Sequence, residues 1–119
     1  MDPSDRMALQ ELPCRYGDMI DDRDWDGLSQ IFLEDATFEI PGQVLNGLPE
    51  IRAFMNEVQD PPAHIMTNIY VDETPEEVIV RFRIVGVHRD GTVMSGRYRD
   101  FVVKGDDGWR VASRVYTST

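Results

Sequence analysis

The chain has 119 residues, 41% of them hydrophobic, which is enough for one core and too few for two, so a single domain over residues 1–119 is expected. Its 12 basic residues stand against 22 acidic ones, and the net charge of −10 repels phosphate backbones and anionic bilayers, which removes nucleic acid and membranes from the expected partners. No apolar run approaches the ~20 residues that span a bilayer, and Met1 to Arg6 lack the basic-then-apolar order of a secretion signal, so a cytoplasmic location is expected.

The first third of the chain reads as helical. Met7, Leu9, Leu12, Tyr16, Met19 and Ile20 recur at three- and four-residue spacings and form one apolar stripe, with Ser4 placed to cap its start. Pro13 interrupts the stripe and predicts a kink or restart. Cys14, the sole cysteine, excludes an intramolecular disulfide and is expected to be a buried, inert thiol. A short second helix is predicted over 24–32, burying Trp25, Leu28, Ile31 and Phe32, and a third over 48–58, burying Ile51, Phe54, Met55 and Val58.

Between those helices, residues 36–40 alternate like a strand that Pro41-Gly42 closes with a turn. After Pro61-Pro62 come four long predicted strands, over 63–72, 77–89, 92–104 and 109–117, joined by turn-like connectors that make an antiparallel meander. Helices first and strands later predict an α+β arrangement in which one sheet face wraps the helices. Period-two reading puts His64, Met66, Asn68 and Tyr70 on one face. Tyr98, Asp100 and Val102 share a face, Arg97, Arg99 and Phe101 take the other, and Val80, Phe82 and Ile84 make an apolar wall. Arg81, Arg83, Arg97 and Arg99 form a basic patch, read as solvated or ion-paired rather than as an anion site.

The run from Arg15 through Tyr16, Asp21 and Asp24-Trp25 to Leu28 resembles the opening of scytalone dehydratase and of SnoaL-like domains, in which Tyr, four spacers, Asp, two spacers and Asp-Trp follow one another. Phe32 with Asp35-Ala36, Gly47, His64 with Asn68, then Gly96, Tyr98, Asp100 and the closing Asp107-Gly108-Trp109-Arg110-Val111 with Arg114 continue the likeness in order. The resemblance implies the nuclear-transport-factor-2-like superfamily: a cone-shaped α+β barrel of cystatin-like topology. Its strongly curved mixed sheet would wrap three N-terminal helices around an internal pocket. It also implies that Asp21, on the first helix, pairs with His64, at the start of a strand, as in bile-acid dehydratases and scytalone dehydratase. Tyr16 matches a pocket tyrosine of the bile-acid enzymes, whereas Phe82 stands where scytalone dehydratase has a second histidine, so that enzyme's full mechanism does not carry over.

An Asp-His pair is suited to proton transfer at neutral pH, because a carboxylate on one ring nitrogen fixes the tautomer and makes the other nitrogen a better base. In an apolar cavity such a base would take a proton α to a carbonyl, and dehydration, isomerisation or aldol-type cyclisation would follow. Asn68 or Tyr98 would hold the developing enolate, or Asp100 if burial keeps it protonated. Asp100 has a competing structural reading as a brace to Arg114. The expected function is therefore a cofactor-independent lyase or isomerase, dehydratase-like, acting on a hydrophobic cyclic or aromatic hydroxy-carbonyl compound. Asp21 and His64 are its catalytic residues, and Tyr16, Asn68, Phe82, Tyr98 and Asp100 its substrate-binding residues. The alternatives are a non-catalytic ligand-binding or assembly subunit of the same fold and, more remotely, an epoxide hydrolase that sets Asp100 against Arg81 or Arg99. His64 and His88 lack any metal-ligand spacing and no phosphate-cradling glycine loop precedes a helix, so neither metal nor other cofactor is expected. Val85, Val87, Phe101 and Val103, on outward positions, predict a homodimer or higher homo-oligomer.

Overall fold

The computed structural model describes every residue except Gln59. Helix α1 spans Pro3–Asp21 and begins at Asp2, not Ser4: the Asp2 carboxylate accepts from the Ser4 backbone N–H and hydroxyl, both at 2.7 Å, and Pro3 occupies the first turn. The helix does not restart at Pro13 but runs through it. Proline deletes one helical hydrogen bond, but Leu9, Leu12, Pro13, Tyr16 and Gly17 are all buried along the same stripe. At ~1.5–3 kcal/mol for each large apolar side chain removed from water, that burial exceeds the ~3 kcal/mol penalty of an interior proline. Cys14 lies on the opposite, exposed side, contrary to expectation.

The segment expected as a second helix is a 3-10 turn over Asp26–Gln30, with Asp24 accepting from the Gly27 N–H at 3.0 Å, and the chain is extended from Phe32 onward. Strand β1 is Phe32–Ile40, four residues longer at its start than predicted, because Phe32 registers beside Val111. A turn through Gly42, at φ +79°, returns the chain as β2, Gln43–Asn46, a strand that the sequence reading does not include. Gly47, at φ +86°, opens helix α2 over Leu48–Glu57, which buries Leu48, Ile51 and Met55. Among the described residues there are thus two α-helices, not three.

Strands β3 (Ala63–Glu73), β4 (Val78–Val87), β5 (Val93–Gly105) and β6 (Gly108–Ser118) form the predicted meander. The six-stranded sheet has the order β2-β1-β6-β5-β4-β3; β1 lies parallel to β6 and every other pair is antiparallel. Its inner face carries Val80, Phe82, Ile84, Tyr98, Asp100 and Val102, all buried in the core that α1 and α2 help to close. Besides the register shift between Phe32 and Thr37 of β1, two irregularities reset the alternation. One falls between Thr67 and Tyr70 in β3, and the other opposite Phe101 and Val102, where β6 passes from Ser113 to Val111.

Candidate functional site

Asp21 is the last residue of α1 and His64 the second of β3, and the two meet where the helix end lies over the strand's start. Asp21 Oδ1 is 2.7 Å from His64 Nδ1, while its Oδ2 accepts from the His64 backbone N–H at 3.1 Å. One carboxylate therefore fixes both the ring and the backbone of the same residue. The His64 side chain is 12% exposed and that of Asp21 25%, so the pair is sheltered but reachable. Nε2 of His64 has no hydrogen-bond partner among the described residues, nor is it an enclosed, unpaired atom.

The residues in register with His64 and two along from it are a glycine and methionines. Gly86 of β4 registers opposite His64, and a Cβ there would stand 2.5 Å from Pro61 Cγ and 2.8 Å from Met94 Sδ. Met66, two residues along β3, lies against Gly17 of α1. These thioethers make an apolar and adaptable surround.

Deeper in the sheet lies a second polar centre. Arg114 and Asp100, both 1% exposed, form a bidentate pair in which Nε and Nη2 donate at 2.7 Å to Oδ1 and Oδ2. The guanidinium carbon lies 4.1 Å from the Tyr16 ring centroid, 4.3 Å from that of Tyr98, and 5.0, 5.3 and 5.5 Å from those of Phe32, Phe38 and Phe82. Burial works to lower the Arg114 pKa, but the facing Asp100 carboxylate outweighs it and holds the guanidinium firmly protonated. Burial pushes the Asp100 carboxyl up against the pull of Arg114. Nη1 of Arg114 is buried without a partner among the described residues. Tyr16 and Tyr98 place their hydroxyls 3.5 Å apart, at the outer limit of hydrogen bonding, and burial raises both phenols so that they stay protonated.

The structure therefore sorts the sequence-derived residues into two groups and leaves one outside. Asp21 and His64 are joined. Tyr16, Phe82, Tyr98 and Asp100 gather around Arg114, and their rings fill the middle of the inner face where an open internal pocket was expected. Asp100 has both oxygens bonded to Arg114, which is the bracing arrangement, and its burial turns it away from any ligand in solvent. Asn68 is placed wrongly by strict alternation. It sits in the β3 irregularity at φ +54°, is exposed, and accepts from the Thr67 hydroxyl at 2.9 Å. Sequence reasoning missed the Arg114 cage, because the irregularity in β6 hides that Val111 and Arg114, three residues apart, both point inward. Arg81 bonds to Asp72, away from Asp100, so the Asp-Arg-Asp arrangement of an epoxide hydrolase is not formed through it. Among the described residues no three His, Cys, Asp or Glu side chains are grouped to hold a metal.

Residues 2–115 match the SnoaL-like domain family. An uncharacterised protein of Mycobacterium tuberculosis is 29% identical over 125 residues, covering 96% of this chain and 85% of its own length. Among solved structures, a second M. tuberculosis protein of unknown function superposes with TM-score 0.81 at 26% identity, covering 100% of this chain and 77% of its own. A candidate scytalone dehydratase of Novosphingobium aromaticivorans gives TM-score 0.81 at 23% identity over 96% and 84% of the two chains. A Nostoc punctiforme protein of unknown function with a cystatin-like fold gives 0.87 at 19% identity over 100% and 94%. The last two likenesses concern the fold alone.

Proposed function

The chain belongs to the SnoaL-like domain family, and from that membership and the Asp21–His64 geometry we propose that it is a cofactor-independent lyase or isomerase acting on a hydrophobic cyclic or aromatic hydroxy-carbonyl compound. The observation that carries the reading is the 2.7 Å contact of Asp21 with Nδ1 while Nε2 stays open. With Nδ1–H donated to the carboxylate, Nε2 is the basic nitrogen. It takes a proton α to the substrate carbonyl, the C–H pair moves into an enolate, and Asp21 stabilises the imidazolium. In dehydration Nε2–H then protonates the β-hydroxyl, the C–O bond breaks, water departs and a conjugated enone remains. In isomerisation the same proton returns to another carbon. The methionine-rich surround of His64 favours an apolar ring over a charged substrate.

The test is a panel of cyclic β-hydroxy ketones followed by enone absorbance and by α-deuterium exchange in D2O. His64→Gln and Asp21→Asn, with unchanged circular dichroism, are expected to lower turnover by ~10²–10⁴-fold, the usual contribution of a positioned acid-base group. Neither conversion nor exchange by the parent protein, or full activity in both variants, would refute the proposal. The Arg114 side chain packed into the middle of the inner face supports a second reading, a non-catalytic ligand-binding or assembly subunit. That reading is supported instead if hydrophobic ligands bind with no exchange.

A further inference from the structure

The outer face of the sheet, turned away from the dyad, holds four arginines in two directly opposed pairs: Arg83 faces Arg97 and Arg81 faces Arg99 across β4 and β5. Opposed residues on neighbouring antiparallel strands have Cβ atoms only ~4.5–5.5 Å apart, and like charges so placed repel. The chain has 22 acidic residues to offset them, yet only Arg81 has an acidic partner: it bonds to Asp72 and lies 4.9 Å over the Tyr70 ring. Arg83, Arg97 and Arg99 have no carboxylate within ion-pair distance among the described residues. All three are exposed, and with Arg81, Tyr70 and Asn68 they line a concavity of about 410 Å³. Asn68 reaches this face because of its φ of +54° in the β3 irregularity. Among the described residues, a highly acidic protein thus keeps guanidinium groups that lack a direct carboxylate partner together in a cross-strand cluster lining a groove, with Arg99 reaching Asp72 only through space.

We propose that this groove binds a small, multiply charged anion bearing phosphate or carboxylate groups, held by Arg83, Arg97 and Arg99. Guanidinium forks match both groups bidentately, and an anion between the opposed pairs converts their repulsion into attraction. Arg81, already fixed by Asp72, forms the rim, and the exposed Tyr70 ring offers a flat surface to whatever body the anion carries. The site is independent of the proposed acid-base chemistry, which lies across the sheet.

Binding of inorganic pyrophosphate, and separately of citrate, is measured by calorimetry and by thermal shift against sodium chloride at matched ionic strength. Either anion is expected to saturate with one site per chain and to raise the melting temperature above the chloride control, and the tighter of the two identifies the preferred group. Arg83→Gln with Arg97→Gln is expected to weaken binding at least tenfold. In chloride alone the double variant is expected to melt no lower than the parent, because the like-charge contact of Arg83 with Arg97 is relieved, so loss of binding is distinguishable from loss of fold. The proposal is overturned by a shift no larger than chloride gives, or by equal binding in the double variant. It is also overturned if sedimentation shows a dimer that the double variant dissolves, since carboxylates of a second copy would then be the occupant.

Discussion

Asp21 commits both carboxylate oxygens to His64, one to the ring and one to the backbone N–H, so a change at Asp21 acts on the orientation of the histidine as well as on its electrostatics. Asp100 is the other decisive residue. Its pairing with Arg114 in a fully buried aromatic cage means that removing one partner leaves a charge stranded, whereas removing both removes the problem. Asp100→Asn is therefore expected to destabilise the protein by ~3–5 kcal/mol in urea unfolding, while Asp100→Leu with Arg114→Met falls near the parent value. If the single and double changes cost the same, the pair is not acting as a buried ion pair. In the sequence, the Asp21 and His64 positions are legible through the resemblance to scytalone dehydratase and SnoaL-like domains, carried by Tyr16, Asp21 and Asp24-Trp25 and then by His64 with Asn68. The Arg114 cage is not legible, because it depends on one unpaired residue in β6 that reverses the inward parity.

At the scale of elements, the meander from β3 to β6 is readable because each strand is long, alternates, and ends in turn residues. The failures have local causes. Strand β2 is four residues long, too short for alternation to show, and becomes visible only through its pairing with β1. The 3-10 turn at 26–30 carries buried Leu28 as a helix would, but the chain must be extended by Phe32 to join β6, which leaves no room for α-helical turns. Pro13 reads as a kink or a restart, and the helix continues through it with the proline buried. Asn68 is misplaced because alternation assumes unbroken pairing, and its left-handed backbone carries an energetic signature. Asn68→Gly is expected to leave stability near the parent, and Asn68→Val to cost ~1–2 kcal/mol, since β-branched residues are strained at positive φ. Equal stability of the two variants would mean that β3 pairs without the irregularity.

For the whole molecule, the placement of charge governs association. The outward apolar residues Val85 and Val87 lie at one end of the β4–β5 pair and Phe101 at the other, separated by the two opposed arginine pairs. A self-association surface on this face must therefore cross four guanidinium groups. We propose a homodimer that uses the apolar residues as two separate patches on either side of the arginine groove, and light scattering at micromolar concentration is expected to give twice the 13.7 kDa of one chain, alike in citrate and in chloride. A mass of one chain in both salts would contradict it. The same separation keeps the charged groove and the sheltered dyad on opposite faces of one sheet, so each can be changed without the other.

The proposed acid-base chemistry rests on His64 presenting a bare, basic nitrogen to a ligand, and the ring proton reports that directly. In a long-range ¹H–¹⁵N spectrum of the neutral histidine, the proton is expected on Nδ1, donated to Asp21, with Nε2 unprotonated. Asp21→Asn is expected to shift the population toward the other tautomer. A proton on Nε2 in the parent protein would leave His64 with a donor where the proposed chemistry needs a base, and would contradict the acid-base role.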